Sequence, residues 1–399
     1  MTSDSRFLFG SITISRVIYA LSWYEVASAF PAMESKLHYG FQDLGLLTAV
    51  FLVGTGACQI PAGIYSAHRG ASKAALIGLA LIGVTSLLSA LVTNFQLALV
   101  VRFATGVGTA FYFAPALVIV SHSLGQGRSG LTIGIYNSAF NLGAGLGILV
   151  FTPLASNVDW RLPFVITGVL TLAVFAENLY ALKGWVDPVK IEMNKVKSTL
   201  RSKDILIVIA ATIAMDAAYY VVSQFLPTYS EGHLHFSPTS AGAISSLVLL
   251  AAFIGAPIWG LVADRMKNRR FIILVTSIAG SISVALFAIS SSFVPWFAAF
   301  FSGFFFSGAL TNCYAFPVQL PEIGRKYAPL SIGLINAASI LAGAALTSEF
   351  PTIVLSLGYA TSFILIGIVS IAVVPLVYAA REPYKIQSNP TPEMNSTVD

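Results

Sequence analysis

Unbroken apolar runs of about twenty residues follow one another along the chain, each set off from the next by a short polar stretch. A run of that length carries an α-helix across the hydrocarbon core of a bilayer. The runs do not alternate polar with apolar positions, which excludes a membrane β-barrel. Because every backbone group in hydrocarbon must be satisfied internally, helices are what remain. The pattern predicts an all-α polytopic membrane protein with twelve transmembrane helices. The spans fall at about 11–33, 42–66, 73–92, 96–122, 130–154, 161–184, 204–229, 239–264, 270–291, 295–320, 329–355 and 358–380.

One polar interruption organises the rest. Gly260–Arg270 reads G-L-V-A-D-R-M-K-N-R-R, an acid and a knot of cations wedged between two apolar runs. A weaker copy lies 197 positions earlier, where Gly63–Lys73 reads G-I-Y-S-A-H-R-G-A-S-K. Gly63 then answers Gly260, Ala67 answers Asp264, His68 answers Arg265 and Lys73 answers Arg270. The offset persists elsewhere. Leu37-His38-Tyr39 answers Leu234-His235-Phe236, Gly45 answers Gly242, and Gly127-Arg128 answers Gly324-Arg325. Near it, Pro31 answers Pro227, and 131–139, with Asn137, answers 330–338, with Asn336. A duplicated chain of this kind predicts two pseudo-symmetric six-helix bundles with a cavity between them at mid-depth. The boundaries are 1–184 for the first bundle, 185–203 for a linker, 204–382 for the second bundle and 383–399 for an unstructured tail.

Composition supports the same solvent. Of 399 residues, 56% are hydrophobic and 10% charged, with mean hydropathy +0.81; a water-soluble domain carries about 25% charged residues. The distribution of cations says more than their sum. With alternate loops on opposite sides, 18 of the 22 Lys and Arg fall on one side; Lys36 and Arg161 fall on the other, and Arg16 and Arg102 lie inside spans. The positive-inside rule therefore places both termini and the Gly260–Arg270 turn in the cytoplasm, in a multi-pass protein of the cytoplasmic (inner) membrane. The N-terminus is too short and too weakly basic for a cleaved signal. Cys58 and Cys313 both fall in apolar runs and can build neither a disulfide framework nor a metal cluster. His233 and His235 beside Glu231 read as a solvated loop rather than a metal site.

An ionisable group inside a membrane helix costs roughly 2.5–3.5 kcal/mol on insertion scales and marks function by default. Glu25 and Arg102, in the first and fourth spans, both lie roughly 9–14 Å below the outer interface at 1.5 Å per residue, so adjacent spans could pair them. Such a pair reads as a proton switch or as a static structural bridge. Asp216 sits near the midplane of the seventh span with Tyr220 and Gln224 on the following turns. That face suits a substrate cavity or a second proton site. Arg16 shares a face with Tyr19 and Trp23, and nine residues separate it from Glu25, which turns nearly to the opposite side. It reads equally as a substrate-anion clamp or as an anchor snorkelling to the interface. Tyr112, Tyr136, Asn137, Asn312, Tyr314 and Asn336 are further polar residues inside spans, available to substrate or as helix–helix glue. No phosphate-cradling strand–turn–helix is present, so the chain carries no nucleotide-hydrolysis machinery, no cofactor is expected, and nothing points to an enzyme or to nucleic acid.

With these residues in place, the chain resembles the major facilitator superfamily over essentially its whole length. The loop signature G-x-x-x-D-R-x-G-R-[RK] is matched by Gly260, Asp264, Arg265, Arg269 and Arg270, with Asn268 in place of the family glycine. The first-half copy keeps Gly63, Arg69, Gly70 and Lys73 but has Ala67 where the acid belongs. Arg102 to Gly108 resembles the fourth-span R-x-x-x-G-x-G, and Gly143, Gly145 and Gly147 form a loose fifth-span glycine motif without the Gly-Pro pair associated with antiport. The resemblance implies a monomeric secondary active transporter that rocks two bundles around a central site, with these loops as gates. It also implies a proton-coupling role for the acid of the first span and the arginine of the fourth. A looser likeness to anion/cation symporters, in 225–242 and 159–164, points to a small organic anion carried with protons. Multidrug and sugar porters of the same fold, and a non-transporting membrane sensor, are the alternatives. Asp264 is expected to meet cations or a helix end across the interface between halves.

Overall fold

The computed structural model describes residues 3–123, 129–183, 185, 201–320 and 323–388, and is all-helical over the regular elements of that range. The helices are α1 (Ser3–Leu37), α2 (Phe41–Arg69), α3 (Ala71–Leu91), α4 (Phe95–Ser123), α5 (Ser129–Asn157) and α6 (Leu162–Ala181). Then follow α7 (Lys203–Gly232), α8 (Pro238–Met266), α9 (Arg269–Ala285), α10 (Val294–Gln319), α11 (Gly324–Val373) and the short α12 (Pro383–Ser388). Ten helices among the described residues are long and apolar enough to cross a membrane. The 35-residue α1, which carries Arg16 and Glu25, is not one of the ten. The 50-residue α11 is two helices joined at Gly358, whose φ of 77° and ψ of 162° no helix can accommodate. Most of the expected linker, 186–200, lies outside the described residues, as do Gly127, Arg128 and the tail beyond 388. The tail was expected to be unstructured from 383, yet Pro383–Ser388 is helical.

The turns between helices repeat at the same offset as the sequence. Positive backbone φ occurs at His38 (58°) and His235 (56°), and again at Gly70 (103°) and Lys267 (51°), each pair 197 residues apart. The left-handed residue of the Gly260–Arg270 turn is thus Lys267, not Asn268. Asn268 instead caps α9, its side-chain oxygen accepting from the Phe271 N–H at 3.1 Å. Asn268 does not fill the glycine position of the signature; a lysine does, and the asparagine is an N-cap.

Glycines set the closest helix crossings. A Cβ on Gly106 in α4 would lie 2.2 Å from the Phe51 carbonyl oxygen of α2, and one on Gly303 in α10 would lie 1.8 Å from the Val248 oxygen of α8. These crossings are again 197 residues apart at both ends. Backbone cannot yield as a side chain can, so Gly303→Ala must push α8 and α10 apart, at a cost of roughly 1–3 kcal/mol. Thermal unfolding in detergent should show a clear loss for Gly303→Ala and none for Gly333→Ala, where a Cβ meets nothing within 4 Å.

Packing between the first six helices and the later ones runs through α2 against α11 and α5 against α8, with α1 against α7. At the end remote from the Gly260–Arg270 turn these contacts are close. Gly45 abuts the Thr347 carbonyl and Pro351, and Gly242 abuts Pro153 and Thr152. Phe41 packs edge-on against Phe225 and tilted against Tyr359. One apolar cluster spans both sets of helices there, including Phe30, Trp160, Phe225, Phe350 and Phe363. At the other end, Ile205, Ile273, Phe316, Ile335 and Val377 form a separate cluster within the later helices.

Candidate functional site

Arg16 is 6% exposed and does not snorkel to either surface. Its guanidinium carbon lies 4.5 Å from the ring centroid of Tyr19, 4.8 Å from Phe113, 4.7 Å from Tyr136 and 4.7 Å from Phe140. Helical spacing places Tyr19 beside it on α1, while α4 supplies Phe113 and α5 supplies Tyr136 and Phe140. The phenol hydroxyls also reach backbone carbonyls. Tyr136 donates to the Phe113 carbonyl at 3.2 Å, Tyr112 to that of Ile12 at 3.1 Å, and Tyr19 reaches the Thr109 carbonyl at 3.5 Å. Ring faces attract the cation but do not accept its N–H groups as an oxygen would. Nε and Nη1 are buried without a hydrogen-bond partner among the described residues. An unmet charged donor costs more than the roughly 1–3 kcal/mol of a neutral one, so the cage leaves this guanidinium incompletely satisfied.

On the other face of α1, Glu25 and Arg102 form an ion pair, Oε1 to Nη1 at 2.8 Å, with their side chains 0% and 3% exposed. Ser86 donates to Glu25 Oε1 at 3.3 Å, and Arg102 Nη1 also reaches the Ser22 carbonyl at 3.3 Å. The Phe51 ring lies 4.4 Å beneath the guanidinium. Glu25 Oε2 and Arg102 Nε have no hydrogen-bond partner among the described residues. The structure brings together the two residues that depth alone suggested, and leaves the pair incompletely satisfied.

Asp216, in α7, is 4% exposed and accepts a short hydrogen bond from the Ser339 hydroxyl of α11. Tyr220, one turn on, stacks on Trp23 of α1 with centroids 6.2 Å apart and planes 18° apart. Gln224, a further turn on, donates to the Trp23 carbonyl at 3.1 Å. Tyr314 of α10 donates to Asn336 at 2.7 Å. Trp23 therefore joins the Arg16 cage to the Asp216 face, since it also packs against Tyr19 and Phe140. Asn137 is half-buried on α5. Asn312, expected at the substrate, is not part of this group. Its oxygen accepts from Arg269 Nη1 at 2.7 Å and its amide donates to the Gly308 carbonyl at 2.8 Å, so it belongs to the basic turn.

That turn is locked within the later helices. Arg269 Nη2 meets Asp264 at 2.6 Å, and Arg269 Nε donates to Gln319 at 2.6 Å. The Arg269 and Arg270 N–H groups donate to the two carboxylate oxygens of Glu382 at 3.1 Å each, which caps α9 with a buried acid. Arg270 Nε also reaches Glu382, at 3.3 Å, and Arg381 Nη2 meets Asp204 at 2.6 Å. The Tyr384 hydroxyl donates to Asp264. Asp264 was expected to reach across to the first half; it is occupied by Arg269 and Tyr384, both on its own side. Arg265 is exposed, as are Arg69 and Lys73 in the first-half copy, and neither Gly63 nor Gly260 is tightly packed. Glu382, at the end of the last apolar stretch, was missed because nothing local marks it. Glu382→Ala strands the two N–H groups that open α9, while Arg270 keeps the Tyr378 and Ala380 carbonyls, a loss of about 1–3 kcal/mol per stranded group. A melting temperature unchanged by that substitution would contradict this reading of the clamp.

The model described as Major Facilitator Superfamily matches residues 12–347 and 210–398. The chain belongs to this superfamily. It is therefore a transporter fold and not an enzyme. A protein named "Probable sulfoacetate transporter" from Cupriavidus necator is 23% identical over 365 residues, covering 84% of each chain. "Probable anion transporter 7" of Oryza sativa subsp. japonica is 23% identical over 363 residues, covering 83% of this chain and 81% of its own. The proline/betaine transporter of Salmonella typhimurium is 24% identical over 198 residues, 44% of this chain and 39% of its own. Within this superfamily member, the residues around Arg16 and Asp216 that sequence reasoning missed are Phe113, Phe140 and Ser339. The phenylalanines follow chemically marked neighbours by one position (Tyr112) and by one turn (Tyr136), but a phenyl ring signals chemistry only once it is seen over a cation.

Proposed function

We propose that the protein is a proton-coupled secondary transporter of a small organic anion, working by alternating access in the cytoplasmic membrane as a monomer. The carrying observation is the buried guanidinium of Arg16, caged by four rings with two nitrogens unpaired among the described residues. Sulfoacetate, proline and betaine all bear an acidic group, as the cargoes of relatives, and such a group would satisfy those nitrogens. A neutral sugar would leave the charge uncompensated, which disfavours the sugar-porter alternative.

Adding α1 to the ten apolar helices and dividing the last at Gly358 supports a count of twelve spans. Repeated positive-φ turns and glycine crossings at the 197-residue offset support two six-helix bundles, over 1–184 and 204–382. The cation asymmetry supports cytoplasmic termini. Close packing at the end remote from the basic turn supports a conformation closed toward the outside. Glu25 and Arg102 would carry the proton, the pair opening and closing as the bundles rock. The test is uptake into proteoliposomes of radiolabelled sulfoacetate and other short carboxylates and sulfonates, with and without an imposed pH gradient. Uptake of an organic anion driven by inward proton flow supports the reading; uptake of neutral sugars alone, or none of any solute, defeats it.

A further inference from the structure

Two opposite charges line the central region without being partners of each other. Arg16 presents unpaired N–H groups from α1, and Asp216 takes a serine hydroxyl from α11; no ion pair involving Asp216 is found among the described residues. The aromatic wall Tyr19–Trp23–Tyr220 joins them: Tyr19 lies against Arg16 and touches Trp23, which stacks on Tyr220 one turn from Asp216. A purely anionic cargo held at Arg16 would meet the Asp216 carboxylate as a repulsive neighbour. A cargo with a positive group at its far end would turn that repulsion into attraction, and the neighbouring ring faces would favour the cation further.

We propose that the cargo is a zwitterion, its acidic group held by Arg16 and its ammonium by Asp216 beside Trp23 and Tyr220. This rests on the reading of Arg16 as the anion contact of the transport site. Under it, Glu25 and Arg102 handle protons while Asp216 reads the charge of the substrate.

The experiment uses isosteric probe pairs on the purified full-length protein, with binding measured by thermal shift and calorimetry. Glycine betaine is compared with 3,3-dimethylbutyrate, and taurine with propane-1-sulfonate; each pair differs only in replacing the cationic nitrogen by carbon. Wild type should favour at least one zwitterion over its carbon isostere by about tenfold or more, the size of a single well-placed charge contact. Asp216→Asn should bring that ratio close to one, whereas Asp216→Glu, which keeps the charge, should retain most of it. Arg16→Gln should remove binding of both members. Equal binding within each pair, or a ratio unaltered in Asp216→Asn, overturns the zwitterion assignment and leaves the anion contact standing. Binding that survives Arg16→Gln, or no binding of any probe up to millimolar concentration, overturns the anion contact and the zwitterion with it.

Discussion

Proteoliposomes containing Glu25→Gln should exchange labelled substrate across the membrane but fail to concentrate it when a pH gradient is imposed. Glu25 and Arg102 are both buried, 2.8 Å apart, in a setting where each charge depends on the other. If rocking of the helices separates them, the carboxylate is left without compensation, at a cost of several kcal/mol. Taking a proton removes that cost, and re-closing the pair expels it. A gradient of one pH unit supplies about 1.4 kcal/mol per proton, enough for about tenfold accumulation with one proton per cycle. In Glu25→Gln the ratio should fall to about one while exchange continues. The substitution also strands the Arg102 charge, so the double variant Glu25→Gln/Arg102→Met should recover thermal stability and remain unable to concentrate substrate. Continued accumulation by Glu25→Gln would make the pair a static bridge and move the search for coupling to Asp216.

The parts of this molecule legible in its sequence are those governed by local rules. Helix length follows from apolar run length, and the repeat at 197 residues was readable because His38 and His235 sit in identical left-handed turns. The Glu25–Arg102 pair could be anticipated from depth, since position along a membrane helix is nearly a coordinate. What depends on how helices rotate against one another was not legible. Nothing in the sequence around Arg16 tells that α4 and α5 deliver Phe113, Tyr136 and Phe140 around it. The partner of Asp264 is not legible either, because Arg269 is five residues away across a turn whose path hinges on the left-handed Lys267. Glu382 lies 112 residues from Arg270, and only the fold brings its carboxylate to the start of α9.

Replacing Arg16 should separate function from stability. Arg16→Gln is expected to lower affinity for an anionic cargo by about 10- to 150-fold, since a charged hydrogen-bonded contact is worth about 1.5–3 kcal/mol. Arg16→Lys should fail nearly as badly, because an ammonium presents neither the planar fork nor the ring-stacking face that four aromatic neighbours are arranged around. The unliganded protein should respond in the opposite sense. Two guanidinium nitrogens are buried without acceptors among the described residues, and the ring contacts return only about 0.5–2 kcal/mol. Arg16→Met keeps a long side chain among the rings and gains sulfur–aromatic contacts. Its melting temperature in detergent should therefore equal or exceed that of wild type while binding disappears, as expected where a site carries destabilisation for the sake of its ligand. A large drop in the melting temperature of Arg16→Met would show instead that the cage exists to hold the helices together, with Arg16 as its structural rivet.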